Sequence, residues 1–288
     1  MPESMYLNKL RELCAVTAPN LRAIIEHDSP VSASTWKAQG ETGKAVELYS
    51  LCGFAAALSN LNKKVRIPEI YYEKPDLFYL RNVLHRHHGA QAGHSAAIND
   101  IPLIDRFTAA LTPKLTYENG GLSYEVFREG FPIHLIEHVH KGKPEYLDRP
   151  DIIICEGTST HSLLSSEKME FSYDCQHGKC HGVLRIKNDS NIPIISYETT
   201  LTANIPVVGI IECSVGKGDV RAEEQLKRYL SIFSPEKIPL SLLINGKRKK
   251  CAAYSYEAFI DMSFDKPEDI IALNDMMQRF AEAILQSL

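Results

Sequence analysis

The chain has 288 residues and a formal net charge of −4, with 44% hydrophobic and 24% charged residues. These proportions are ordinary for a globular protein, and no apolar run reaches the roughly 18 residues that a membrane-spanning helix needs. The overall charge excludes a strongly basic nucleic-acid binder, although phosphate contact requires only a local basic surface.

The start of the chain and the cysteines predict a cytoplasmic protein with no membrane association. Residues 1–4 read Met-Pro-Glu-Ser and lack the basic patch and apolar segment of a secretory signal. The seven cysteines are odd in number and scattered, and Cys155 and Cys213 lie in apolar runs typical of small buried side chains. We therefore expect a reducing compartment.

Residues 1–113 are predicted to form a mostly helical N-terminal region. Apolar residues recur there at the spacing of a helix that buries one face. Small and polar residues between positions 89 and 100 indicate a loop. Helices are expected at residues 5–15, 43–60, 76–87 and 102–112.

The pattern then changes to strands. Asn119-Gly120-Gly121 separates two short alternating segments, 115–117 and 122–127, and predicts a hairpin because these residues tolerate positive φ. Residues 151–155 and 207–213 are continuous apolar runs, which are typical of central strands buried on both faces. Further strands are expected at residues 131–139, 238–244 and 251–261, with the turn Asn245-Gly246 joining the last two.

Two helices complete the predicted architecture. Residues 220–233 are amphipathic, and a final helix is expected from Pro267 to about Gln286, because proline and the acids after it suit a first turn. The order of strands and helices predicts an α/β fold with a mixed central sheet flanked by helices.

Two acids stand where these central strands would meet. Asp151 opens one strand and Glu212 comes late in the other, so that both carboxylates can reach one edge of the sheet. Mg²⁺ binds one or two carboxylates together with water and substrate phosphate, and Mn²⁺ accepts the same oxygen ligands. Such a metal can activate water for attack on a phosphodiester.

The sequence here resembles the PD-(D/E)xK nuclease superfamily, which includes type II restriction endonucleases and RecB-type nucleases. Pro150-Asp151 and Glu212 match its two metal acids, and Gln225 with Tyr229 resembles the glutamine-x-x-x-tyrosine element of RecB-like members. The resemblance covers residues 131–245. It implies a restriction-endonuclease-like fold in which the acids and the Cys213 backbone carbonyl bind metal, while Gln225 and Tyr229 hold the DNA backbone or substrate.

The chain departs from the family pattern in two places. Ser214 stands where the family usually has lysine, so Lys217, in a Gly-Lys-Gly loop, is expected to assist the attacking water. A long segment, 157–206, separates the two acids and is expected to be an insertion in a nuclease core that spans residues 114–288. Residues 1–113 would then serve DNA recognition or dimerisation.

Family members often add a glutamate from an early helix to the metal site. Glu47 is our first choice for this role and Asp105 the second. The competing interpretation of Glu47 is a surface acid on an amphipathic helix.

A zinc site is a further alternative. Cys175, His177, Cys180 and His181 lie within seven residues, but two of the four are adjacent in the chain and would struggle to face one ion. We expect a polar hairpin tip without metal. Histidines at 134, 138 and 140 share one face of a strand, yet no helical His-Glu-x-x-His accompanies them.

The leading expectation is a Mg²⁺-dependent endodeoxyribonuclease that resembles a type II restriction enzyme and cuts double-stranded DNA as a homodimer. Three alternatives stay open. One is a DNA-binding protein whose nuclease site decayed at Ser214. Another is a repair or defence nuclease acting on ends or single strands, and the last is a zinc-stabilised interaction module.

Overall fold

A computed structural model describes residues 41–66, 113–128, 150–165, 168–176, 178–189, 192–201, 207–214, 224–227, 229–230, 240–245, 256–259 and 267–287. The predicted helices at 5–15, 76–87 and 102–112 and the predicted strand at 131–139 lie outside these ranges.

The described residues form two long helices and ten strands, together with helical residues at 224–227 and 229–230. In chain order the elements are α1 (Glu41–Asn60), β1 (Leu115–Asn119), β2 (Leu122–Arg128), β3 (Ile152–Glu156), β4 (Thr158–Ser165), β5 (Lys168–Cys175), β6 (Gly178–Asp189), β7 (Ile192–Leu201), β8 (Val207–Ser214), β9 (Leu240–Asn245), β10 (Tyr256–Phe259) and α2 (Pro267–Gln286).

Six strands form a mixed sheet in the order β1-β2-β3-β8-β9-β10. The pairs β1–β2, β2–β3 and β3–β8 are antiparallel, whereas β8, β9 and β10 run parallel to one another. This arrangement confirms the predicted α/β class with a mixed central sheet. The two apolar runs with the acids, β3 and β8, are adjacent central strands, and every residue of β3 is buried.

The hairpin of β1 and β2 is confirmed. Asn119 pairs with Leu122, and the two glycines between them have φ angles of 59° and 83°. Positive φ at both loop residues is the signature of a type I′ turn, whose twist matches that of the flanking strands. Glycine adopts it without the steric cost that a Cβ would bring.

Both helices pack over the same face of the six-stranded sheet. Phe54 from α1 and Phe280 from α2 are fully buried, with ring centroids 6.0 Å apart, and they share one core with Ile154 and Leu242 from the sheet. Helix α1 belongs to residues 1–113, the predicted N-terminal region. The hydrophobic core that covers the sheet therefore includes side chains from that region. The predicted final helix is confirmed at Pro267–Gln286.

The segment between the two acids is a sheet of its own. Strands β4 to β7, which follow β3 and precede β8 in the chain, form a four-stranded antiparallel meander that is a separate sheet. The chain enters the meander at Gly157, whose φ is +124°. An added Cβ there would overlap the Tyr173 hydroxyl, so the entry requires glycine.

One predicted connection is wrong. The strand predicted at 251–261 is described at Tyr256–Phe259 and pairs in parallel with β9, with Phe259 opposite Asn245. Parallel neighbours need a crossover connection, so a tight turn at Asn245-Gly246 does not join these strands as a hairpin. Among the described residues, no helix is both long and apolar enough to cross a membrane.

Close packing between α2 and β8 gives a first testable prediction. A Cβ added at Gly209 would lie 2.6 Å from Ile284 Cδ1 and 3.0 Å from Ile154 Cδ1. We expect Gly209→Ala to lower the free energy of unfolding by about 1–2 kcal/mol, measured by urea denaturation. Ile284→Val removes the closest atom, so the cost of Gly209→Ala should be smaller in that background. An equal cost in both backgrounds would contradict the packing explanation.

Candidate active site

The two predicted acids lie side by side at one edge of the mixed sheet. Because β3 and β8 are antiparallel, the beginning of β3 lies beside the end of β8, and Ile152 is the register partner of Ile211. Asp151 directly precedes the first of these residues and Glu212 directly follows the second. The register therefore brings together two residues that are 61 positions apart in the chain.

Hydrogen bonds join the two acids through the main chain. The Cys213 backbone N–H donates to Asp151 Oδ2 over 2.7 Å, and the Asp151 backbone N–H donates to Glu212 Oε2 over 3.4 Å. The first distance is short, as expected for a charge-assisted bond to a carboxylate, and the second is long. Glu212 is buried, whereas Asp151 is partly exposed, so the pair opens to solvent on the Asp151 side.

The Cys213 thiol lies on the side of the sheet that faces α1. Its Sγ is 3.7 Å from Ser50 Oγ. Burial raises the pKa of this thiol, and the carboxylates of Asp151, Glu47 and Glu212 raise it further, against an opposing effect of the Ser50 hydroxyl. The charges of Asp151, Glu47 and Glu212 therefore all act on this thiol.

Glu47 reaches this edge from α1 and forms an ion pair with Arg128, the last residue of β2. Arg128 Nη1 lies 3.4 Å from Glu47 Oε2, and both side chains are only 8% exposed. The interpretation of Glu47 as a surface acid is therefore wrong. A buried ion of either sign is costly without a partner, so each of these residues stabilises the other in place.

The remaining predicted site residues are placed as follows. Gln225 is partly exposed in the helical segment 224–227, while Tyr229 is fully buried and packs in the interior. A direct contact between Tyr229 and substrate is thus not available in this conformation. Ser214 ends β8 opposite Asn245. Lys217 and Asp105 lie outside the described residues.

The hairpin predicted for the cysteine–histidine segment is confirmed. Cys175 ends β5 and is the register partner of Gly178 at the start of β6, and its thiol donates to the Gly178 carbonyl oxygen over 3.4 Å. Within the described ranges, no three or more His, Cys, Asp or Glu residues form a group that could hold a metal ion. His177 and the histidines at 134, 138 and 140 lie outside those ranges, as does the side chain of Cys180.

A second pair of buried acids, which we did not predict, lies at the opposite end of β3. Glu125 accepts hydrogen bonds from the Ser159 backbone N–H at 2.7 Å and from the Ser159 hydroxyl, and Glu156 Oε1 accepts one from the Gln176 N–H at 2.9 Å. Burial raises the pKa of Glu125 to about 7, although both bonds from Ser159 lower it. These glutamates anchor the meander to the six-stranded sheet.

A sequence signal for this second pair exists. Glu125 interrupts an otherwise apolar part of β2, and Glu156 follows the apolar run of β3. An acid inside a strand buried on both faces requires hydrogen-bond donors nearby.

No known protein family, curated protein or solved structure matches the chain significantly.

Proposed function

We propose that the protein is a metal-dependent nuclease with a restriction-endonuclease-like core, and that Asp151 and Glu212 are its metal-binding acids. One observation carries the proposal: the Asp151 carboxylate accepts the Cys213 N–H, while Glu212 Oε2 lies 3.4 Å from the Asp151 nitrogen. Two carboxylates that are held at one partly open sheet edge form the kind of pair that binds a divalent cation.

The donor set fits Mg²⁺ or Mn²⁺. Both ions accept hard oxygen ligands, and Mg²⁺ in particular binds one or two carboxylates and keeps several waters. The predicted third ligand, the Cys213 backbone carbonyl, belongs to the residue whose N–H already orients Asp151. When bound, such an ion lowers the pKa of a coordinated water and stabilises charge on a phosphodiester.

The protein's own residues orient the site. The Cys213 N–H fixes one oxygen of Asp151, and burial restricts the rotamers of Glu212. Gln225 is accessible enough to contact a DNA backbone, whereas Tyr229 supports the helix from the interior. Lys217 would assist the attacking water, since serine at position 214 cannot supply a positive charge.

The topology supports the same proposal. Asp151 directly precedes β3 and Glu212 lies near the end of β8, and β9, the next described strand in the chain, is parallel to β8. The helical segment that contains Gln225 lies between β8 and β9 in the chain, as the resemblance implies. Double-stranded DNA as substrate and a homodimer as the active form are part of the proposal.

Incubation of supercoiled plasmid with the purified full-length chain tests the proposal. We expect cleavage with Mg²⁺ or Mn²⁺ and none with EDTA. Cutting of circular DNA into discrete fragments indicates a restriction-type endonuclease, whereas degradation of linear DNA alone indicates the repair or defence alternative. Sedimentation of the same sample reports whether the active form is a dimer. Absence of cleavage of circular and linear DNA in every divalent metal overturns the nuclease proposal.

A second candidate function rests on Ser214. If the loss of the usual lysine has abolished catalysis, the chain binds DNA but does not cut it. Such binding would weaken steeply with salt, because phosphate contacts release counterions. A titration of labelled duplex between about 50 and 200 mM salt distinguishes this protein from one that has no DNA interaction at all.

A further inference from the structure

We propose that Arg128 and Glu47 act together as a positioning pair that sets the charge of the acid cluster, and that Glu47 binds Arg128 rather than the metal. The inference rests on the proposed metal site at Asp151 and Glu212. It departs from the expectation that Glu47 is itself a ligand, and it gives a role to Arg128, which the sequence did not indicate.

Arg128 lies beside the candidate metal acids. It ends β2, and its register partner is Ile152, the residue that follows Asp151. Ile152 in turn pairs with Ile211, the residue before Glu212. The ends of three neighbouring strands thus bring a guanidinium and two carboxylates to the same edge.

Burial makes the ion pair a fixed feature of the site. With only 8% of each side chain exposed, neither charge is screened effectively by water. Removal of one partner would leave an uncompensated buried charge, which is strongly destabilising. Glu47 Oε2 therefore binds Arg128, and a metal ion at this oxygen would have to break or share that contact.

The ion pair lies next to the first metal acid along the sheet edge. Arg128 is the register partner of Ile152, which directly follows Asp151, and Arg128 Nη1 contacts Glu47 Oε2. Arg128 thus offsets the charge of Glu47. Without Arg128, the added carboxylate charge at this edge would bind a cation more tightly and repel a DNA phosphate more strongly.

A double-mutant cycle distinguishes an electrostatic role of the Glu47–Arg128 pair from direct metal binding by Glu47. Mn²⁺ binding is measured by titration calorimetry on the full chain for wild type, Arg128→Gln, Glu47→Gln and the double variant. We expect Mn²⁺ to bind on the order of tenfold more tightly to Arg128→Gln and tenfold more weakly to Glu47→Gln. The double variant, which restores neutrality, should bind within about threefold of wild type. Arg128→Lys keeps the charge and should also resemble wild type.

Three results overturn the inference. If the double variant binds as weakly as Glu47→Gln, then Glu47 is a ligand. If neither single variant alters affinity, the pair is only structural, and thermal unfolding alone will change. If Arg128→Lys behaves like Arg128→Gln, charge is not what matters. Failure of the nuclease proposal looks different, because wild type would then bind no Mn²⁺, or would bind it equally well after Asp151→Asn and Glu212→Gln.

Discussion

DNA cleavage by Asp151→Asn and Glu212→Gln is expected to fall at least about a hundredfold below wild type. Loss of groups that merely orient metal ligands typically costs about 10- to 100-fold, so loss of a ligand charge should cost no less. Both replacements keep the size of the side chain and an oxygen that can accept the hydrogen bonds from the Cys213 and Asp151 N–H groups. The fold should therefore persist, and initial rates of plasmid nicking in Mg²⁺ measure the effect.

Matched control variants on the protein surface show whether the effect is local. Asp275→Asn changes an exposed acid on α2, and Glu118→Gln changes an exposed acid on β1 whose ion pair with Arg66 is open to solvent. Both controls should cleave at the wild-type rate. Equal loss in controls and site variants, or unchanged cleavage by Asp151→Asn, would show that these acids are not the metal site.

Much of the fold follows from local signals in the sequence. Asn119-Gly120-Gly121 predicts the hairpin because its backbone conformation requires positive φ, and Pro267 predicts the start of α2 because proline is suited to a first turn. The acid pair was predictable for a related reason. Two apolar runs long enough for central strands each carry one acid near an end, and a single antiparallel register brings these ends together.

The rest depends on contacts that local patterns do not contain. The parallel pairing of β9 and β10 is set by the whole sheet, so the turn residues Asn245-Gly246 were misleading. The ion pair of Glu47 and Arg128 joins α1 to β2 across 81 positions. No spacing rule relates such residues. Tyr229 resembles a substrate contact by spacing, yet a helix with Leu226 and Tyr229 on one face buries both.

The two ends of β3 carry acids in contrasting environments. At one end, Asp151 is partly exposed and its carboxylate accepts the Cys213 main-chain N–H. At the other, Glu125 and Glu156 are buried and accept N–H groups from the meander. The first end is open to an ion from solvent, while the second uses protein donors to anchor the four-stranded sheet. The difference in solvent access and donors supports the proposed metal site at the first end and indicates a structural role for the second.

The anchoring end gives the second large expected effect, a loss of stability as the pH rises. The pKa of Glu125 is about 7 in the folded protein, against 4.5 for a glutamate side chain that is fully surrounded by water. Between these values the folded chain binds a proton that the unfolded chain has released, so the free energy of unfolding falls with increasing pH. This contribution is fully present below about pH 4.5 and is lost by about pH 8. The loss amounts to roughly 3 kcal/mol.

Glu125→Gln should remove this dependence, because glutamine keeps an acceptor for the Ser159 N–H and carries no charge. In urea denaturation at about pH 5 and about pH 8, the difference between wild type and variant isolates Glu125 from other titrating groups. We expect Glu125→Gln to have a higher free energy of unfolding than wild type at the higher pH and no such advantage at the lower pH. Ser159→Ala removes a hydrogen bond that lowers the pKa of Glu125. In this variant the fall in the free energy of unfolding should therefore occur at a higher pH than in wild type. The prediction is wrong if wild type and Glu125→Gln differ in free energy of unfolding by the same amount at both pH values. Glu125 would then already be ionised in the folded protein at about pH 5.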